Sequence, residues 1–99
     1  MGESSELLDE MTVTLRKPVT VGGETVFELA LREPTVAELE QFTLQAAKAG
    51  EIKAISSLIA SVSGVSIAAI QKIGVRDFKI AEKYLSDFFG DSQKTGEIA

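Results

Sequence analysis

The chain has 99 residues, a formal net charge of −5, and neither histidine nor cysteine. Zinc ligation, thiol nucleophiles and general acid–base catalysis near neutral pH therefore lose their usual residues, and only carboxylates, lysines, hydroxyls and Tyr84 are left. An enzyme is thus the least favoured class of protein, and no cofactor is expected. No apolar run approaches the roughly 18 residues of a membrane span, and residues 1–10 are acidic where a signal peptide is basic. We therefore expect no membrane contact, and the lack of cysteine is compatible with a reducing cytoplasm.

Negative charge lies at the two ends of the chain. Residues 1–10 carry four acids and no base, a charge of −4, and residues 91–99 carry two acids and one base, a charge of −1. Since the total is −5, residues 11–90 are neutral, with nine bases and nine acids. A neutral folded part lacks the electrostatic footprint of a nucleic-acid-binding protein, so no nucleic-acid partner is expected.

The length and the sequence pattern predict one domain, residues 1–99, of the α+β class. An N-terminal β-hairpin is followed by a small bundle of three to four α-helices. The predicted segments are an acidic disordered N-terminus over residues 1–10, the β-hairpin over 11–33, a helical region over 35–90 and a flexible tail over 91–99.

The hairpin is predicted from two alternating segments that flank Gly22-Gly23. Their apolar residues are Val13, Leu15, Val19 and Val21 in the first segment, and Phe27, Leu29 and Leu31 in the second. A two-residue turn would pair Val19 with Val26 and divide this set between two faces. A three-residue loop that includes Glu24 pairs Val19 with Phe27 and collects the set on one face against the helices, so we predict the longer loop. Pro18 cannot donate to the ladder and is expected at an outward edge position or a bulge, which would shift the register beyond it.

Four helices are predicted after the hairpin. Pro34 ends the second strand, and Thr35 with Glu38 forms a capping box for a helix that starts at Val36. The first helix is predicted to end near Gly50 and the second at Gly64. A short third helix is capped by Ser66, and the last helix is opened by Gly74 and Asp77 and ends at Gly90. The apolar stripes are Val36, Leu39, Phe42 and Ala46; then Ile52, Ile55, Ile59 and Val62; then Ile67, Ile70 and Ile73; and finally Phe78, Ala81, Leu85, Phe88 and Phe89.

One segment indicates a different class of protein. Residues Leu58 to Gly74 are close to the helix-turn-helix pattern, with Ala60, the turn Gly64-Val65-Ser66 and Ile70 at the expected offsets. The groove-facing positions offer only two polar side chains, where base recognition usually needs several. We therefore favour a tight helix–helix corner and predict no specific DNA binding, and a small helix-turn-helix regulator is the alternative function. Those groove-facing positions are Ile67, Ala68, Ala69, Gln71 and Lys72.

Two long segments resemble the tail assembly chaperone family of contractile-tailed bacteriophages. They are TVTLRKPVTVGGETVFELALREPTVAELE, from Thr12 to Glu40, and LIASVSGVSIAAIQKIGVRDFKIAEKYLSDFF, from Leu58 to Phe89. The shared features are a valine-glycine-glycine turn, a strand that closes in Leu-Arg-Glu-Pro-Thr, a corner with a glycine, an Arg-Asp pair that opens the last helix, and a Phe-Phe end. The string from Leu31 to Thr35 is the most specific of them.

The resemblance implies a small non-enzymatic protein in the cytoplasm of an infected or lysogenic bacterium. It would bind the tape measure protein while the phage tail is built and be absent from the mature virion. The tail-tube protein is a further implied partner, because tube subunits replace the chaperone on the tape measure. We expect the tape measure to contact an apolar surface at the end of the last helix, which is easily displaced to expose its inner face. The candidate partner-binding residues are Tyr84, Leu85, Phe88 and Phe89.

Self-association is expected independently of the resemblance. A hairpin of two strands is marginal in water and leaves two open edges. It must pack on the helices, and its edges are free to pair with another copy or another chain.

Overall fold

The computed structural model describes residues 8–98, with side chains described through Phe89. A β-hairpin is followed by four helices, which confirms the predicted α+β class. The elements are β1 (Glu10–Val21), β2 (Glu24–Arg32), α1 (Val36–Ala49), α2 (Glu51–Ser63), α3 (Ile67–Ile70) and α4 (Val75–Ile98). Residues 1–7, which form most of the predicted acidic terminus, and Ala99 lie outside the described residues. Across the described range, none of the helices combines the length and the apolar character needed to cross a membrane.

The register next to the turn differs from the prediction. Val19 pairs with Val26, and Val21 pairs with Glu24, so Gly22-Gly23 forms a two-residue turn and the predicted pair of Val19 with Phe27 is wrong. Both glycines have positive φ, 61° and 82°, as the tight hairpin turn that matches strand twist requires. The turn therefore sets the local register, although the apolar pattern favours the longer loop.

A bulge beside Pro18 restores the apolar face further along the hairpin. Between Thr14 and Val19 the register shifts, so the four residues 15–18 of β1 lie opposite the single residue Phe27 of β2. Beyond the bulge Val13 pairs with Leu29. The predicted inward residues Val13, Leu15, Leu29 and Leu31 are all buried, whereas Phe27 is 62% exposed. The shift expected at Pro18 is thus present, and it turns Phe27 to solvent.

The core lies between one face of the hairpin and α2, α3 and α4. Its largest fully buried side chains are Leu29, Leu31, Ile55, Ile59, Ile70 and Leu85. Helix α1 packs mainly on α2 and has no buried residue, so the predicted inward positions Val36 and Leu39 are wrong: they are 83% and 38% exposed. The physical reason is that α1 packs on α2 through a narrow seam that holds Phe42 and Ala46, with Phe42 also contacting Phe89 of α4, and most of its remaining surface faces solvent.

Most helix boundaries follow the predicted signals. Thr35 and Glu38 form both bonds of the capping box, Gly64 ends α2 with φ of 75°, and the side chain of Ser66 accepts a hydrogen bond from the backbone N–H of Ala69. The end of α4 is different, because the helix continues past Gly90 to Ile98. A single glycine inside a helix costs only about 1 kcal/mol relative to alanine, so it does not by itself end one.

Candidate partner-binding surface

The predicted contact residues lie in the middle of α4, since the helix continues to Ile98 and does not end beside them as predicted, and Tyr84 contacts the chain before β1. Tyr84 is 6% exposed, and its hydroxyl donates a hydrogen bond to the carbonyl oxygen of Leu8 over 2.6 Å. Burial, together with the nearby carboxylates of Asp9, Glu33 and Glu10, raises the pKa of the Tyr84 phenol. The phenol is therefore neutral and acts as a structural donor that fastens α4 to the chain entering β1.

Two separate aromatic contacts involve this part of α4, one within the helix and one with α1. The ring of Phe88 stands edge-on to the ring of Tyr84, with centroids 5.3 Å apart and planes at 88°. Phe89 packs on Phe42 of α1, with centroids 5.4 Å apart and planes at 30°. Such pairs add about 0.5–1.5 kcal/mol beyond the area that they bury. We call Phe42, Tyr84, Phe88 and Phe89 the aromatic cluster.

The four predicted residues are brought together but are not equally accessible. Leu85 is fully buried and Tyr84 nearly so, whereas Phe88 and Phe89 are half-buried. A partner that docks without moving α4 therefore reaches only the two phenylalanines of this set. The other two side chains become available only if this part of α4 moves away from the core. Their part in partner binding remains a prediction.

The Leu-Arg-Glu-Pro-Thr string builds a polar network around Glu38. The guanidinium of Arg32 donates two hydrogen bonds to the two carboxylate oxygens of Glu38, each over 2.9 Å. The same carboxylate accepts the backbone N–H of Thr35 over 2.9 Å and the hydroxyl of Ser61 on α2. These bonds, led by those from Arg32, lower the pKa of Glu38 to about 2. One carboxylate thus joins the end of β2, the cap of α1 and the middle of α2.

Asp77 anchors the β1 bulge to the start of α4. Its side chain is buried, and one carboxylate oxygen accepts the backbone N–H of Arg16 over 2.8 Å. The other oxygen lies 3.7 Å from Nε of Arg16. From the sequence, the Asp77 carboxylate is interpreted as complementing the helix dipole. The sequence did not predict the hydrogen bond between Asp77 and the bulge. Pro18, which marks the bulge, is the one sequence signal close to it.

The helix-turn-helix alternative receives no support from the corner. The turn after Gly64 is present, but α3 comprises only four residues, Ile67–Ile70. Ala69, one of the five groove-facing positions, is 2% exposed and belongs to the core. A single helical turn with a buried alanine does not supply a recognition helix that can enter a DNA groove.

The range of residues that matches a known protein family contains every feature described above except Leu8, which Tyr84 contacts. A family model described as "Phage tail assembly chaperone proteins, E, or 41 or 14" matches residues 12–90. This range contains the bulge, the Glu38 network and the aromatic cluster, and it confirms the resemblance inferred from the sequence. No curated protein and no solved structure matches the chain.

Proposed function

Because the chain belongs to the phage tail assembly chaperone family (E, or 41 or 14), we propose that it binds the tape measure protein while the phage tail is built. The family acts in the host during assembly, and its chaperone description favours a role without catalysis. A tape measure protein is long and largely helical, with apolar stripes that need cover until the tube forms. A small domain with an exposed apolar surface provides such cover when it binds the apolar side of the partner's helix.

The observation that carries the proposal is the pair of half-buried phenylalanines in the middle of α4. Phe88 and Phe89 remain partly accessible although each already packs on another aromatic ring. Partly exposed aromatic side chains in a small domain are typical of protein-binding surfaces. They can accept the apolar stripe of a helical partner while the rest of the aromatic cluster supports them from below.

Tyr84 and Leu85 join the proposed binding surface only after the partner has bound and moved α4. Both are buried, and the hydroxyl of Tyr84 is bonded to the carbonyl oxygen of Leu8. A partner that moves this part of α4 away from the core gains access to them at the cost of that bond. Binding of this kind is modest in affinity for each copy, so tail-tube subunits can replace the chaperone.

The remaining parts of the proposal concern place and assembly. The protein works in the cytoplasm of the bacterial host, leaves the tape measure as the tube polymerises, and is absent from the mature virion. It self-associates, so that several copies cover one long tape measure chain.

Coexpression with the tape measure protein of the same phage tests the proposal. The wild-type chain should keep the tape measure soluble and co-purify with it. Replacing Phe88 and Phe89 together by Ser should abolish this protection, because the partner loses both accessible rings. Phe27→Ser is the matched control, since it removes an aromatic ring that is 62% exposed on the hairpin and belongs to neither α4 nor the aromatic cluster.

The double variant must be folded for the comparison to count. Loss of two partly buried aromatics costs up to several kcal/mol, so circular dichroism of the purified variant accompanies the assay. A folded double variant that still protects the tape measure rules out this surface. A wild-type chain that never co-purifies with the tape measure rules out the proposed function itself.

A further inference from the structure

The chain just before β1 is tied to α4 and to the end of β2. The carbonyl oxygen of Leu8 accepts the hydroxyl of Tyr84 over 2.6 Å, and the carbonyl oxygen of Asp9 accepts the backbone N–H of Glu33 over 3.2 Å. We call Leu8 and Asp9 the N-terminal strap. Strand pairing in the hairpin begins at Glu10, so the strap can leave while β1 stays paired with β2.

The strap is held by its backbone and not by its side chains. Leu8 is 61% exposed, so it buries little apolar surface, and Asp9 is exposed as well. Each of the two hydrogen bonds exchanges with bonds to water, so its net contribution to stability is modest. The attachment is therefore weak enough to break without unfolding of the core.

Three like charges weaken the attachment further. Burial raises the pKa of the Tyr84 phenol, and the nearby carboxylates of Asp9, Glu33 and Glu10 raise it more. Carboxylates gathered near one hydroxyl also lie near one another and repel. Asp9 and Glu33 are the two residues that share the second bond of the strap, so their repulsion acts directly on that bond.

The bases adjacent in sequence do not cancel these charges. The guanidinium of Arg32 donates to Glu38, and the ammonium group of Lys83 donates to Asp87. Each base is thus already paired with another carboxylate, and the surroundings of the strap keep an excess of negative charge.

Tyr84 lies at the rim of the core and not at its centre. It lines a surface groove of about 420 Å³ together with Met11 and Ile80, and Ile80 is 41% exposed. Its ring also contacts Phe88, one of the two phenylalanines proposed to bind the partner. A short outward movement of this part of α4 therefore joins Tyr84 to that surface, and the strap is bonded to the side chain that has to move.

We propose that the N-terminal strap is an inhibitory latch on the partner-binding surface. While the strap holds the hydroxyl of Tyr84, this part of α4 stays on the core. When a partner binds at Phe88 and Phe89 and moves α4, the strap is released. A weaker strap then raises the affinity for the partner, and partner binding loosens the strap by the same factor. The inference rests on the proposed function and adds its regulation.

Hydrogen exchange in the free chain tests the attachment of the strap. Tyr84→Phe removes the hydroxyl and keeps the ring. The amide of Glu33, which is bonded to Asp9, should then exchange at least about twofold faster, whereas amides in α2 should not change. Thr20→Val is the matched control, because it removes another hydroxyl hydrogen bond, the one to Thr25 near the turn of the hairpin, and should leave the Glu33 amide as in wild type.

Competition for the tape measure protein tests the inhibition. Wild type and one variant are coexpressed with the tape measure of the same phage, and mass spectrometry gives their ratio in the purified complex. Tyr84→Phe should be enriched about two- to tenfold over wild type, the factor that one hydrogen bond represents. Glu33→Lys should be depleted at least about twofold, because it replaces an exposed carboxylate by a base and tightens the strap. Thr20→Val should show no preference.

The outcomes separate the latch from the proposed function. Unchanged exchange of the Glu33 amide in Tyr84→Phe would overturn the latch, and so would equal or reversed ratios of the two strap variants in complexes that do form. The proposed function would stand in both cases. A wild-type chain that never co-purifies with the tape measure would overturn the proposed function and the latch together.

Discussion

Glu38 shows how a single residue connects three elements. Its carboxylate binds the guanidinium of Arg32, the N–H of Thr35 and the hydroxyl of Ser61. The helix-capping bond is local, whereas the bond to Ser61 spans 23 residues of sequence. Because the carboxylate is mostly shielded and every bond favours its charged form, the network is stable only while Glu38 is ionised.

Replacement of Glu38 by Gln is therefore expected to destabilise the fold in a pH-dependent manner. The folded pKa of about 2 lies below the ordinary value of 4.5, so the stabilisation is complete above pH 4.5 and is lost as pH falls through 2. We expect a cost of about 1–2 kcal/mol at pH 7, less than the full shift implies, because the Arg32 side chain is 42% exposed and solvent screens the pair. Urea unfolding should show the gap between wild type and variant roughly halved at about pH 3. An equal gap at both pH values would contradict it.

At the scale of elements, the hairpin is governed by its turn and its bulge. The turn at Gly22-Gly23 sets the pairs nearest to it, and the bulge ending at Pro18 absorbs the mismatch with the apolar pattern. The carboxylate of Asp77 then fixes the bulge, because it accepts the partly buried N–H of Arg16. The strand pairing is thus decided at three points along the hairpin and not by its apolar residues alone.

Substitutions at Gly22 test the role of the turn. Gly22 has φ of 61° and open space where a Cβ would lie, so backbone conformation alone limits the residue that fits. Gly22→Asn should leave the free energy of unfolding unchanged or raise it by up to about 1 kcal/mol, because Asn tolerates this conformation and restricts the unfolded chain. Gly22→Val should cost about 1–2 kcal/mol. Equal effects of both changes on thermal unfolding would show that the turn does not need positive φ.

At the scale of the whole molecule, the chain has more apolar surface than it can bury. The hairpin, α2, α3 and part of α4 enclose one core, and α1 adds cover to α2 without a buried residue of its own. The apolar side chains that remain outside include Val36 and Leu44 on α1, Ile52 on α2 and Val75 on α4, together with the accessible part of the aromatic cluster. An assembly protein can use such surfaces for contact with partners and copies.

The uneven packing predicts uneven protection from hydrogen exchange. Backbone amides in the middle of α1 should exchange faster than those in α2, since α1 can detach without opening the core. Mass spectrometry of deuterium uptake in the wild-type chain gives the comparison. Equal protection of α1 and α2 would show that the two helices open together.

The sequence by itself determined the features that depend on neighbours in the chain. The order of elements, the capping box at Thr35 and the ends at Gly50 and Gly64 follow from interactions within a few residues, and these predictions are confirmed. The shift at Pro18 belongs to the same group, since a proline lacks a donor wherever it lies. The family resemblance also rests on local strings, and the match to residues 12–90 confirms it.

Tertiary structure alone decided which apolar residues are inside and how distant polar groups pair. The spacing of apolar residues identifies one side of α1. Only the packing of α1 against the other elements shows that Val36 and Leu39 on that side stay exposed. The bond from Arg16 to Asp77 spans 61 residues, and no local pattern encodes it. The physical reason is that burial and long-range pairing depend on the position of every other element, whereas caps and turns depend on backbone geometry within one turn of chain.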